Sequence, residues 1–109
     1  MSKEKSLSLF RTPPHNYNCA QTVAAGFGHE SFIEPFKACG GGRAPDGLCG
    51  ALYAAIQLAP AEKQDAILEA FRQKNGAVTC RELKQTFRVP CPQCVAVAAE
   101  LLENVSREA

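Results

Sequence analysis

Leu48-Cys49-Gly50-Ala51-Leu52-Tyr53-Ala54-Ala55-Ile56-Gln57-Leu58-Ala59 carries one amide, at Gln57, and no charge. Asp46 precedes this run as an N-cap and Pro60 stops it, so the spacing predicts a helix from Gly47 to Ala59. A helix that is apolar almost all round must be enclosed by others. Before it, Asn16 is expected to cap a helix from Tyr17 to Phe27, with Cys19, Val23 and Phe27 on one face. A short helix near His29 to Lys37 would bury Phe32, Ile33 and Phe36, and Cys39-Gly40-Gly41-Gly42-Arg43-Ala44-Pro45 reads as a loop. After it, Glu62 to Lys74 is amphipathic, with Ala66, Ile67, Ala70 and Phe71 facing inward, and Asn75-Gly76 closes it. Thr79-Cys80-Arg81-Glu82 has the form of a capping box and starts a short helix to Phe87. Pro90 breaks the chain, and Pro92 opens a last helix whose stripe is Val95, Ala98, Leu101, Leu102 and Val105. No run has period two. The expected fold is all-α, a compact bundle of about five or six helices around a central apolar one. Residues 1–14, ending in Pro13-Pro14, read as a flexible N-terminal tail, and residues 15–109 as a single helical, cysteine-rich redox domain.

The 109 residues suit one domain, and a composition of 46% hydrophobic and 21% charged residues is that of an ordinary globular chain. A net charge of +1, with the signs interspersed, excludes the clustered basic face that nucleic acid requires. The longest apolar stretch falls well short of the roughly 18–20 residues that span a bilayer, so no membrane insertion is expected. Met1 to Arg11 is too polar for a secretory h-region, and a cytoplasmic location follows. Six cysteines in a reducing compartment point to thiol chemistry or metal binding rather than to a disulfide scaffold.

On this helix map Cys19 and Cys49 fall near the third position of their helices and Cys80 near the first. Cys91 falls at the cap of the last helix, with Cys94 one turn in, and Cys39 lies in a loop. Free amides and the helix dipole favour a thiolate at such places, lowering a thiol pKa by less than about one unit. A buried cysteine is also an ordinary apolar filler, but five at helix starts argue for chemistry. Cys91-Pro92-Gln93-Cys94 is a CxxC pair able to close a disulfide within one turn. No strand leads into it, as a thioredoxin-like setting would require, and Val95 stands where a haem-attachment motif needs histidine. His15 and His29 lack ligand-like spacing to any cysteine. Gly40 to Arg43 lacks the ending of a phosphate-binding loop and is read as a close pass over the central helix. No Ser-His-Asp set or paired catalytic carboxylates can be assembled. Glu30, Glu34 and Glu82 read as surface or capping residues.

Four segments together resemble a family of redox-active proteins known by its cysteine pattern, C_GCAxxG_C_C. They are Asn18-Cys19-Ala20-Gln21, Gly47-Leu48-Cys49-Gly50-Ala51, Cys80-Arg81-Glu82-Leu83, and Cys91 with Val95 and Ala98-Ala99-Glu100. The resemblance spans about Asn18 to Leu102. Ala54 replaces the glycine that ends the central motif, and Cys39 and Cys94 are additional to it. The resemblance implies redox work by Cys19, Cys49, Cys80 and Cys91, and Cys94 supplies a partner for Cys91. The expected function is thiol–disulfide exchange or electron transfer with a redox partner protein or a small-molecule thiol or disulfide. An iron–sulfur cluster or other metal held by Cys19, Cys49, Cys80 and Cys91 is one alternative, and a non-catalytic helical interaction module is another. A homodimer is compatible with a small helical domain. An eight-residue helix is about 12 Å long, beyond the roughly 7 Å that a disulfide allows between Cα atoms. Cys80 is therefore expected away from Cys91 and nearer Cys49 or Cys19, with Cys91 pairing with Cys94.

Overall fold

The structure, a computed structural model, describes residues 2–39 and 44–108. It is an all-α bundle of six helices, α1 Ser2–Leu9, α2 Cys19–Gly26, α3 Gly50–Leu58, α4 Ala61–Asn75, α5 Cys80–Gln85 and α6 Cys91–Glu108. Short 3-10 turns at Glu30–Phe32, Pro35–Cys39 and Pro45–Gly47 join α2 to α3. The glycine loop Gly40 to Arg43 lies outside the described residues. Among those described, no helix is long and apolar enough to cross a membrane.

The central helix is α3, packed by α2, α4 and α6. Gly50, Ala51, Leu52, Ala54 and Ala55 are buried and only Gln57 is exposed, as an apolar circumference demands. Small residues at Ala51, Ala54 and Ala55 let the neighbouring helices approach closely. Leu101, Leu102 and Val105 of α6 and Ile67 and Phe71 of α4 fill the space around it. Of the expected inward face of α4, Ala70 is half-buried and Ala66 exposed.

Two expectations are corrected. Residues 29–37 do not form one helix, because Pro35 lacks an N–H and biases Glu34 away from the helical region, leaving two 3-10 turns. Residues 1–14 are not a tail throughout, since α1 packs on α2 and α6. Ser6 is fully buried and its carbonyl accepts the Thr22 hydroxyl. The backbone N–H of Lys3 donates to the Glu103 carboxylate at 3.0 Å. Gly26 makes the contact of α1 with α2 sterically feasible, because a Cβ there would lie 2.8 Å from the Ser6 backbone nitrogen.

Candidate functional site

Local chemistry sets Cys19, Cys49, Cys80 and Cys91 at helix starts. Asn18, not Asn16, caps α2. Its side chain accepts from the Gln21 N–H at 2.7 Å, and the Gln21 side chain accepts from the Asn18 N–H at 3.1 Å. Cys19 is therefore the first residue of the helix rather than the third. The Asn18 amide also donates to the carbonyls of Phe36 and Lys37, tying the second 3-10 turn to the same spot. Asp46 does not cap α3. It sits at φ 61° in a 3-10 turn, and Cys49 becomes the cap residue.

An antiparallel bridge between Leu48 and Thr79, with the Cys49 N–H donating to Val78 at 2.8 Å, lays the start of α3 beside the start of α5. Thr79 caps α5, accepting from the Glu82 N–H at 3.3 Å and donating to the Glu82 carboxylate at 2.9 Å. The chain then doubles back. Arg88 takes φ 54°, and the Val89 N–H donates to Leu83 at 2.7 Å, so Cys91 opens α6 close to Lys84. The expected separation of Cys80 from Cys91 assumed an eight-residue hairpin arm. With six residues in α5 and this return, both cysteines face one cavity.

That cavity, of about 50 Å³, is lined by Cys19, Cys49, Cys80, Cys91 and Cys94, with Gly50 and Leu83 on its apolar side and Arg11 and Lys84 supplying positive charge. Glycine at position 50 permits this close packing. A Cβ would lie 2.6 Å from Cys19 Sγ and 2.7 Å from the Cys39 carbonyl oxygen. Cys39, half-buried at the end of its 3-10 turn, stays outside the cavity. None of the six cysteines is in a disulfide; Cys49 and Cys94 are buried and the others half-buried.

The sulfurs are electrostatically unequal. Cys49 donates a hydrogen bond to Cys94 and is buried, and both effects hold it in the thiol form far above its ordinary range. The amides of Ala51 and Leu52 oppose this, without a capping hydrogen bond. Cys94 is shifted down because it receives that hydrogen bond, against its own burial and the nearby Cys91, Cys19 and Cys80. Burial pushes Cys80 up, while Lys84 pulls it down and Cys49 and Cys91 add to the rise. The Lys84 ammonium is raised, first by its hydrogen bond to Cys91. A general acidification of the thiols at helix starts is therefore not what the site displays.

Chemically, the arrangement offers a buried, hydrogen-bonded Cys49–Cys94 dithiol and two outer sulfurs, at Cys80 and Cys91, under one ammonium. Cys19, Cys49, Cys80 and Cys91 share the cavity, yet among the described residues no group of three or more His, Cys, Asp or Glu side chains converges to hold a metal ion. His15 and His29 are exposed and line no part of the cavity. Sequence reasoning missed two residues. Lys84 was findable, since it stands four after Cys80 and so on the same helical face. Arg11 lay in the supposed tail and carried no signal. The chain has no match among protein-family models, curated proteins or solved structures.

Proposed function

We propose that this protein is a thiol redox protein that exchanges electron pairs with a disulfide partner, either a redox protein or a small molecule, in a reducing cytoplasmic setting. The observation that supports it is the gathering of five cysteines from four helices onto one cavity. Packing alone buries single cysteines. It does not require a dithiol joined by a hydrogen bond beside a third sulfur held by lysine. Cys94 is the pivotal residue, because Cys49 contacts it across the core and Cys91 precedes it by three positions on α6. Oxidation of two thiols forms one S–S bond and releases two electrons and two protons, which reduce an acceptor disulfide RSSR to two RSH.

Equilibration in dithiothreitol redox buffers, followed by acid quenching, alkylation and mass spectrometry, tests this. The expected result is a reversible two-electron step yielding one disulfide that includes Cys94. A protein whose cysteines all stay alkylatable as thiols across the series would refute the reading. The cluster alternative draws on Cys19, Cys49, Cys80 and Cys91, which would have to converge further than they do here. Anaerobic purification with iron and sulfide analysis separates it from a thiol couple. An interaction module predicts that serine at these cysteines leaves function intact.

A further inference from the structure

The start of α5 borders a second depression outside the cysteine cavity, of about 640 Å³. Its charged lining residues are of both signs, Asp46 and Glu82 together with Arg81 and Lys84. Cys80 and Lys84 line both spaces, and no other described cysteine does. The inner space of about 50 Å³ is less than a tenth of the outer one. The outer space falls in the range of small-molecule sites, roughly 300–1,000 Å³.

We propose that the outer groove binds the body of a small zwitterionic thiol compound, a thiol amino acid or thiol peptide, whose disulfide exchanges at Cys80. The inference rests on the thiol redox reading and names its substrate class. A ligand of one sign would meet like charge on half the rim, whereas an ammonium and a carboxylate on one short molecule can each find a partner. The Cys80 thiolate attacks one sulfur of RSSR, forming Cys80–S–S–R, and RS⁻ leaves, taking up the proton that Cys80 gave up. A thiolate from the inner cavity then attacks Cys80 Sγ, closing an intramolecular disulfide and releasing the second RS⁻. Two protein thiols are oxidised and one RSSR becomes two RSH. Burial holds Cys80 toward the thiol form, so the first attack is expected to quicken as pH rises, and Cys80 is a poor leaving group once the mixed disulfide has formed.

The test treats the reduced protein with glutathione disulfide, with cystamine (cationic) or with dithiodiglycolate (anionic), then quenches with acid, alkylates and maps the peptides. Each rate is divided by that of the same reagent with a free small thiol. The earliest adduct is expected on Cys80, and glutathione disulfide is expected to lead by about three- to tenfold, the scale of two partly solvated charge contacts. The exposed double variant Asp46→Asn, Arg81→Gln should level the three reagents, and Cys80→Ser should lose the adduct. A first adduct on another cysteine, or equal normalised rates, would overturn the proposal. If the dithiothreitol titration gives a disulfide while glutathione disulfide does not react, this inference fails alone. If neither gives one, the redox reading fails with it.

Discussion

Replacing Gly50 by alanine places a methyl group against two neighbours, 2.6 Å from Cys19 Sγ and 2.7 Å from the Cys39 carbonyl oxygen, while Ala20 Cβ at 3.5 Å is in ordinary contact. The sulfur can swing aside by rotation about χ1. The carbonyl is backbone, and its turn is tied down by the Asn18 amide bonds to Phe36 and Lys37. Overpacking of this kind costs about 1–3 kcal/mol. Alanine recovers part of that, at most about 1 kcal/mol and less at the first residue of a helix. The net expectation is a loss of about 1–2 kcal/mol. At a urea m-value of about 1–3 kcal/mol/M that lowers the midpoint by roughly 0.3–2 M with the slope unchanged, and it lowers Tm by about 4–8 °C per kcal/mol. Urea unfolding of the fully reduced protein measures the first effect. Maleimide labelling of Cys19, faster once its sulfur is displaced, measures the second. Adding Cys19→Ala removes one of the two clashes, so the double variant should regain part of the loss and give a non-zero coupling energy. A Gly50→Ala variant with the wild-type midpoint and unchanged Cys19 labelling would show that the first turn of α3 is not packed against Cys19 and Cys39 as described.

Three other outcomes follow from the same geometry. Cys49 and Cys80 are raised in the folded protein, so the stability they contribute is present below the unfolded thiol value of 9.0 and lost as pH rises past it. Cys94 is lowered, and its smaller share is instead lost as pH falls through its folded value. The urea midpoint of the reduced protein should therefore drop between about pH 8 and 10, and the drop should shrink in Cys49→Ala; a midpoint flat across that window in both proteins contradicts the assignment. Asn18→Ala removes a cap and two bonds to the 3-10 turn, and a loss of about 1–2 kcal/mol is expected in thermal unfolding, against no change if Asn16 were the cap. Deleting residues 1–9 uncovers Gly26 and Thr22 and breaks the contact of Lys3 with Glu103. Tm should fall by several degrees, whereas removal of a mobile tail would leave it unchanged.

What could be read in advance was what short-range physics dictates. The enclosure of α3, its stop at Pro60, the close of α4 at Gly76 and the Thr79 cap each depend on residues a few positions apart. α1 was hidden because its apolar residues form no stripe. It docks through Ser6 against Gly26, a contact between small residues that no periodicity announces. The starts of α2 and α3 slipped for a subtler reason. Asn16 and Asp46 are good caps by type, but both adopt positive φ, 51° and 61°, which Asn and Asp tolerate in turns. Asn18 with Gln21 three residues on is the reciprocal box, and it outcompetes Asn16 by satisfying two amides instead of one.

The same contrast explains the cysteines. Helix starts were expected to make thiolates, yet the dipole contributes only about 0.3–1 kcal/mol, whereas full burial can move a pKa by up to about 3–5 units. At Cys80 burial outweighs the pull of Lys84, and the thiol is held up although it begins a helix. Cys94 is shifted down, and the main cause is the hydrogen bond it receives from Cys49, a residue 45 positions earlier in the chain that only the fold could bring to it. The CxxC spacing pairs Cys94 with Cys91, whereas the hydrogen bond that Cys94 receives comes from Cys49. Position three residues on from Cys91 turns Cys94 toward α3, and the Leu48–Thr79 bridge delivers Cys49 to meet it. The downward shift of Cys94 is thus set by its partner rather than by its helix, which is why Cys49→Ala should raise the Cys94 pKa while leaving α6 and its N-terminus intact.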